Sequence, residues 1–226
     1  MSALANLAKY QGRYDQFLQL RQRYNLKWSK GDSLQYFARF FDGELTFDVM
    51  LQRIREMMRL LPPFMSRIIK FACLVGLRAS EVVESVRLLN EQDLAHTMQA
   101  ASYYNPERQA LEHFRYPEVF LRQTKKAYIS FVTPSMIEGL SPIGERVPSY
   151  NAIRLACYYQ GIKCSMRYCR KIFASWLKTY NIPDFVIDIL QGRVPPSVLA
   201  RHYLVPQDRL RDDILQALHQ LQKQLQ

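Results

Sequence analysis

A chain of 226 residues that is 48% hydrophobic can bury a core of its own, and is neither fibrous nor disordered. Its 31 Lys+Arg against 20 Asp+Glu leave a formal charge of +11, which favours a polyanionic partner, either nucleic acid or an anionic membrane surface. No apolar run reaches the roughly 18 to 20 residues that cross a bilayer, and Met1 to Gln16 lacks the basic-then-apolar order of a signal peptide, so the expected compartment is cytoplasmic or nucleoid-associated.

Residues 3–24 carry Leu4, Leu7, Tyr10, Tyr14, Phe17 and Leu18 at a helical period. A polar loop at 28–33 interrupts it, a short helix follows over Ser33–Phe41, and Asp42-Gly43 reads as a stop. Residues 1–43 are therefore a helical preface, and 44–226 the main domain. Thr46 is the expected N-cap of a helix to Leu61 that buries Leu51, Ile54, Met58 and Leu61. Pro62-Pro63 ends it and opens a helix, apolar almost all round, that closes at Gly76. Ser80 is a candidate cap for the helix over 81–89, and residues 90–115 read as mostly helical with a break at Tyr103–Pro106.

From Pro117 the texture is β-rich around a polar turn, the one hairpin signal, and Pro134 stops it. Ser149 caps a helix to Gln160, a second runs from about Ser165 to Asn181, and Pro183 opens a short third that ends at Gly192. Gln207–Gln226 is amphipathic, with Leu210, Ile214, Leu218, Leu221 and Leu225 in one stripe that serves either packing within the chain or docking on a second copy. The fold class is mainly α with a small antiparallel β-hairpin or sheet. Cys73, Cys157, Cys164 and Cys169 lack CxxC spacing and read as buried free thiols, so neither metal nor cofactor is expected.

Arg146, Arg154, Lys163, Arg167, Arg170, Lys171 and Lys178 fall in a stretch, 146–183, without a single Asp or Glu. A one-sign surface suits phosphate; the plainer alternative is a solvated basic face. Arg167 and Arg170 are three apart and share a helix face, while Met166, Phe173, Trp176 and Leu177 point inward. Paired guanidiniums can grip the non-bridging oxygens of one phosphate and stabilise the charge of a phosphoryl-transfer transition state. Tyr203, 33 positions after Arg170, is the candidate nucleophile.

Several stretches together resemble the tyrosine recombinases, the phage-integrase family. GLRASEVVESVRLL, from Gly76, is similar to the family's first arginine motif, and RKIFASWL, from Arg170, to the helix of its second, usually HxxR. LQGR at 190–193, with Tyr203 ten residues beyond Arg193, resembles its Leu-Gly-His/Trp box and nucleophilic tyrosine. The motif histidine is Arg167 here and the box's His/Trp is Arg193, replacements that resemble integrases of spindle-shaped archaeal viruses and related archaeal plasmids.

The resemblance implies the tyrosine recombinase catalytic-domain fold, with residues 1–43 as a preface or the remnant of a core-binding domain. It implies that Tyr203 attacks a phosphate of double-stranded DNA to give a 3′-phosphotyrosine and a free 5′-hydroxyl. Arg78 and Arg170 would hold the non-bridging oxygens with Arg167 and Arg193 in support, and Lys125 would protonate the leaving oxygen, with Lys126 as its rival. Glu81 would anchor Arg78 or cap its helix. Lys126, Arg154, Lys163 and Lys171 would contact DNA, and the C-terminal helix would link protomers into a homo-oligomer, a tetramer on DNA. A DNA-binding fragment without complete recombination and a type IB topoisomerase-like relaxing enzyme are the alternatives. Arg167 cannot readily accept a proton, so the resemblance leaves open which group deprotonates Tyr203.

Overall fold

The computed structural model describes residues 2–26, 46–94, 103–122, 125–140, 146–162, 165–193 and 209–226, with the side chains of 91–94, 122 and 125 left aside. The chain divides into two compact units, Met1–Leu45 and Thr46–Gln226. In the first, the expected helix over 3–24 is two, α1 (Ser2–Tyr10) and α2 (Tyr14–Arg23), parted at Gln11–Arg13. Their apolar side chains Leu4, Leu7 and Tyr10 are exposed rather than buried. The loop at 28–33, the helix over 33–41 and the stop at Asp42-Gly43 lie outside the described residues.

The second unit is built on α3 (Phe47–Leu60) and α4 (Pro63–Val75). Thr46 caps α3 as expected, its Oγ1 accepting from the Val49 amide at 3.3 Å. The buried face is Met50, Leu51, Ile54 and Met57, with Leu61 beyond the helix end; Met57 takes the place expected of Met58. Proline at its first position costs α4 no hydrogen bond, and the helix buries eight of its residues. It packs against α3, α5 (Ala79–Leu94), α9 (Arg167–Thr179) and α11 (Leu210–Gln224).

Between α5 and α9 lie two small sheets and short helices. β1 (Tyr104–Asn105), β2 (Ala110–Leu111) and β5 (Ser130–Phe131) form an antiparallel sheet in the order β1-β2-β5. Of the helix expected over 90–115, α5 is described as far as Leu94, and from Tyr104 a tight turn between β1 and β2 stands in its place. The reason is local: Asn105 Oδ1 accepts from the Arg108 amide (3.1 Å), Pro106 cannot donate, and Gln109 takes φ +49°. The other hairpin is present in reduced form. PEVF is a short helix, α6 (Pro117–Phe120), and β3 (Leu121–Arg122) pairs with β4 (Lys125–Lys126) in the register Leu121↔Lys126 and Arg122↔Lys125. Pro134 opens rather than merely ends, at the start of α7 (Pro134–Ile137).

A buried polar chain binds the first sheet to α5. Ser85 Oγ on α5 meets Tyr103 Oη (2.8 Å), which meets His113 Nδ1 (2.7 Å), whose Nε2 meets Ser130 Oγ on β5 (2.8 Å). Burial holds His113 neutral, lowering its pKa to about 3, and pushes Tyr103 well above its ordinary value.

Beyond α8 (Tyr150–Tyr159), capped by Ser149 Oγ on the Ala152 amide, come α9, α10 (Asp184–Leu190) and α11. Trp176 on α9 is half-buried, stacks on Phe47 and donates from Nε1 to the Ala217 carbonyl of α11 (2.7 Å). The α11 stripe packs within the chain: Ile214, Leu215, Ala217, Leu218 and Leu221 are buried, with Leu225 behind them. Cys73, Cys157 and Cys169 are buried and form no disulfide among the described residues, while Cys164 lies outside them. Among the described residues no helix is long and apolar enough to cross a membrane.

Candidate active site

Gly76 sets the path into the site. It ends α4 in the left-handed region (φ +63°), and a Cβ there would lie 2.4 Å from the Phe173 ring on α9. Glycine alone meets both demands, so the chain leaves α4 pressed against α9, and Arg78 follows two residues on. Glu81, 3% exposed, accepts from the Arg78 amide (2.9 Å) and from its guanidinium (3.0 Å). The first bond is the reciprocal half of a capping box and the second fixes the side chain, so Glu81 does both jobs that the sequence offered as alternatives. Ser80 is not the cap, because α5 already begins at Ala79.

Arg170 is half-buried on α9. Its Nη2 donates to the Gln191 carbonyl (3.0 Å), and Gln191 Nε2 donates back to the Arg170 carbonyl (2.8 Å). Gln191 is wholly buried; its Oε1 and Arg170 Nη1 are buried and have no hydrogen-bond partner among the described residues. Burial first, then the charges of Arg78 and Arg193, lower the Arg170 pKa to about 10, with Glu81 opposing. Arg78 and Arg193 are thus each within electrostatic reach of Arg170. Guanidiniums so placed repel, and an anion with several acceptor oxygens relieves that repulsion.

Arg193 follows α10, and its Nη1 lies 3.3 Å from Asp188 Oδ1. This exposed pair adds little energy but directs the guanidinium. Between Gln191 and Arg193, Gly192 adopts φ +68°, and a Cβ on it would stand 2.8 Å from the Ala127 amide nitrogen. Its carbonyl accepts from the Lys126 amide at 3.2 Å. One turn therefore grips Arg170 on one side and the lysine-bearing hairpin on the other.

The remaining expected residues divide. The backbone of Lys125 sits in β4 beside that anchor, and the Lys126 side chain is exposed. Arg167 is exposed at the start of α9, its amide donating to Ser165 Oγ (3.3 Å); the charges felt at Arg170 are those of Arg78, Arg193 and Glu81. Arg154 and Lys171 are exposed, on α8 and α9. Among the described basic residues of 146–183, Lys178 alone has a salt bridge, to Asp184. Tyr203 and Lys163 lie outside the described residues. Gln191 and Asp188 are the site residues that sequence reasoning missed; the one signal was their place beside the Gly-Arg of the LQGR box. Among the described residues no group of His, Cys, Asp and Glu is arranged to hold a metal.

A family model described as archaeal phage integrase matches residues 48–210. No curated protein and no solved structure matches the chain. The family match spans well over half of the sequence and takes in Arg78, Arg170, Arg193 and Tyr203. The chain belongs to the archaeal phage integrase family, and that membership implies DNA binding and site-specific DNA recombination.

Proposed function

We propose that the protein is a site-specific DNA strand transferase that works through a covalent tyrosyl intermediate. The observation that carries this reading is a half-buried Arg170 with Arg78 and Arg193 both in electrostatic reach and with one donor that has no hydrogen-bond partner among the described residues. The Tyr203 oxygen attacks the scissile phosphorus, the P–O5′ bond breaks, and a 3′-phosphotyrosine and a 5′-hydroxyl result. Arg78 and Arg170 take the non-bridging oxygens, and Arg193 and Arg167 add positive charge as the phosphorane forms. Lys125 gives a proton to the leaving 5′-oxygen, with Lys126 as its neighbour on the same strand. The phosphotyrosine conserves the energy of the phosphodiester, so religation to a second strand consumes no nucleotide.

The DNA backbone is met by Lys126, Arg154, Lys163 and Lys171, whose charges are sequence-independent contacts. Residues 1–43 serve as a preface or core-binding remnant beside the catalytic domain, and recombination proceeds in an oligomer on DNA.

A duplex nicked next to the attachment site tests the reading, because the cleaved fragment diffuses away and traps the intermediate. The wild-type protein should yield a DNA adduct on denaturing gels, and Tyr203→Phe should yield none. An adduct that survives Tyr203→Phe removes the nucleophile assignment. Relaxation of plasmids lacking the site would favour a topoisomerase-like enzyme, whereas binding with no adduct on any substrate would favour a DNA-binding fragment.

A further inference from the structure

Arg170 is unusual in being held at both ends by one residue. Gln191 takes its guanidinium through a backbone carbonyl and its backbone carbonyl through a side-chain amide. A buried glutamine without a task is disfavoured, since leucine or methionine would fill the same space at no polar cost. Here the amide nitrogen is used and, among the described residues, Oε1 is not, so the polar side chain is buried with one donation to Arg170 as its described bond. The next residue, Gly192, accepts from the Lys126 amide, so the same two residues also seat the hairpin.

We propose that Gln191 is the positioning residue of the phosphate clamp, fixing Arg170 against the turn that also carries the lysine hairpin. Substrate contact is made by Arg170 and the hairpin lysine; Gln191 acts through them by making their separation constant. Without its amide, the turn that carries the Gln191 carbonyl is untied from α9, so Arg170 keeps its charge and loses its aim. The inference rests on Arg170 being a phosphate-holding group in the reaction proposed above.

The test is a double-mutant cycle of Gln191→Met and Arg170→Ala, read by single-turnover cleavage of saturating nicked duplex. Gln191→Met should slow cleavage about tenfold, the worth of one hydrogen bond to the clamp, while DNA affinity changes less than about twofold. In the Arg170→Ala background the same change should add less than about twofold. Equal factors in the two backgrounds overturn the proposal, since Gln191 would then act without Arg170. So does a matching loss of affinity, which marks a merely structural residue. If Gln191→Met does not fold, Gln191→Glu, which keeps the length and lacks the amide donor, enters the same cycle.

A second readout needs no chemistry. The Arg170 Nε–H resonance of the DNA-free protein should be ordered in wild type and mobile in the Gln191 variant; unchanged order overturns the proposal. If wild-type protein cleaved no DNA, the reaction assignment would fall while this measurement still decided the role of Gln191.

Discussion

Arg170 keeps its charge where burial and two neighbouring guanidiniums make charge unfavourable, and its pKa falls to about 10. The cost is present at neutral pH, where the group is charged in both folded and unfolded chains, and is relieved only as pH rises through 10. A bound phosphate relieves it at neutral pH instead, which is the physical reason to gather such groups in a DNA-cleaving site. Arg170→Lys should retain the charge and lose the fork that reaches Gln191 and a phosphate oxygen together, slowing single-turnover cleavage about 10²- to 10³-fold with folding intact. His113 gives a prediction of stability rather than rate. Its folded pKa of about 3 lies below the ordinary 6.5, so the unfolded chain takes the proton first. Stability should be full above pH 6.5 and fall by up to about 1.4 kcal/mol per pH unit below it, as urea denaturation between pH 7 and 5 would show. His113→Asn should flatten that dependence. Arg78 and Arg170 stood out in the sequence because each sits in a motif a few residues long, and the structure puts Arg78 in electrostatic reach of Arg170; Tyr203, read from the same order of motifs, lies outside the described residues. Gln191 was not, since an amide at the end of an apolar helix gains its meaning from a carbonyl 21 residues earlier.

The helices announced themselves through caps and period. Thr46, Ser149 and Gly76 sit where the sequence placed them, because a side-chain cap or a left-handed glycine is decided within a few residues. The β3–β4 hairpin showed itself as β-rich sequence around a polar turn, but β1 and β2 did not, since each is two residues long and exists only by pairing: β2 with β5 joins positions 19 and 21 apart, beyond the reach of any local pattern. Gly192 joins these elements. Gly192→Ala should drive a methyl into the Ala127 backbone, release the hairpin from the Gln191 turn and abolish cleavage while leaving the helical circular dichroism unchanged. The α11 stripe was legible as amphipathic, and the structure resolves its use as packing on α4 and α9. Leu218→Ala should therefore cost about 2–5 kcal/mol in chemical denaturation of the isolated protein. A cost that appeared only on assembly with DNA would contradict packing within the chain.

Across the whole molecule, the apolar α4 is the fixed body around which the chemistry is hung. Arg78 follows its C-terminal end through Gly76, α9 packs on it and carries Arg170, and α11 packs on both α4 and α9. The net charge of +11 supplies attraction for DNA without sequence information, and in the reaction proposed above the three guanidiniums would turn that attraction into a place for one phosphate. In that reaction Tyr203 is the residue that receives the phosphate, with guanidinium and ammonium groups supplying the stabilisation. The most direct measurement is to trap the adduct in the presence of EDTA, digest it and map the nucleotide-bearing peptide by mass spectrometry. The predicted result is a 3′-phosphoryl nucleotide on Tyr203, formed as fast as without chelator. A nucleotide on any other residue, or an adduct that forms only with a divalent metal, would contradict it.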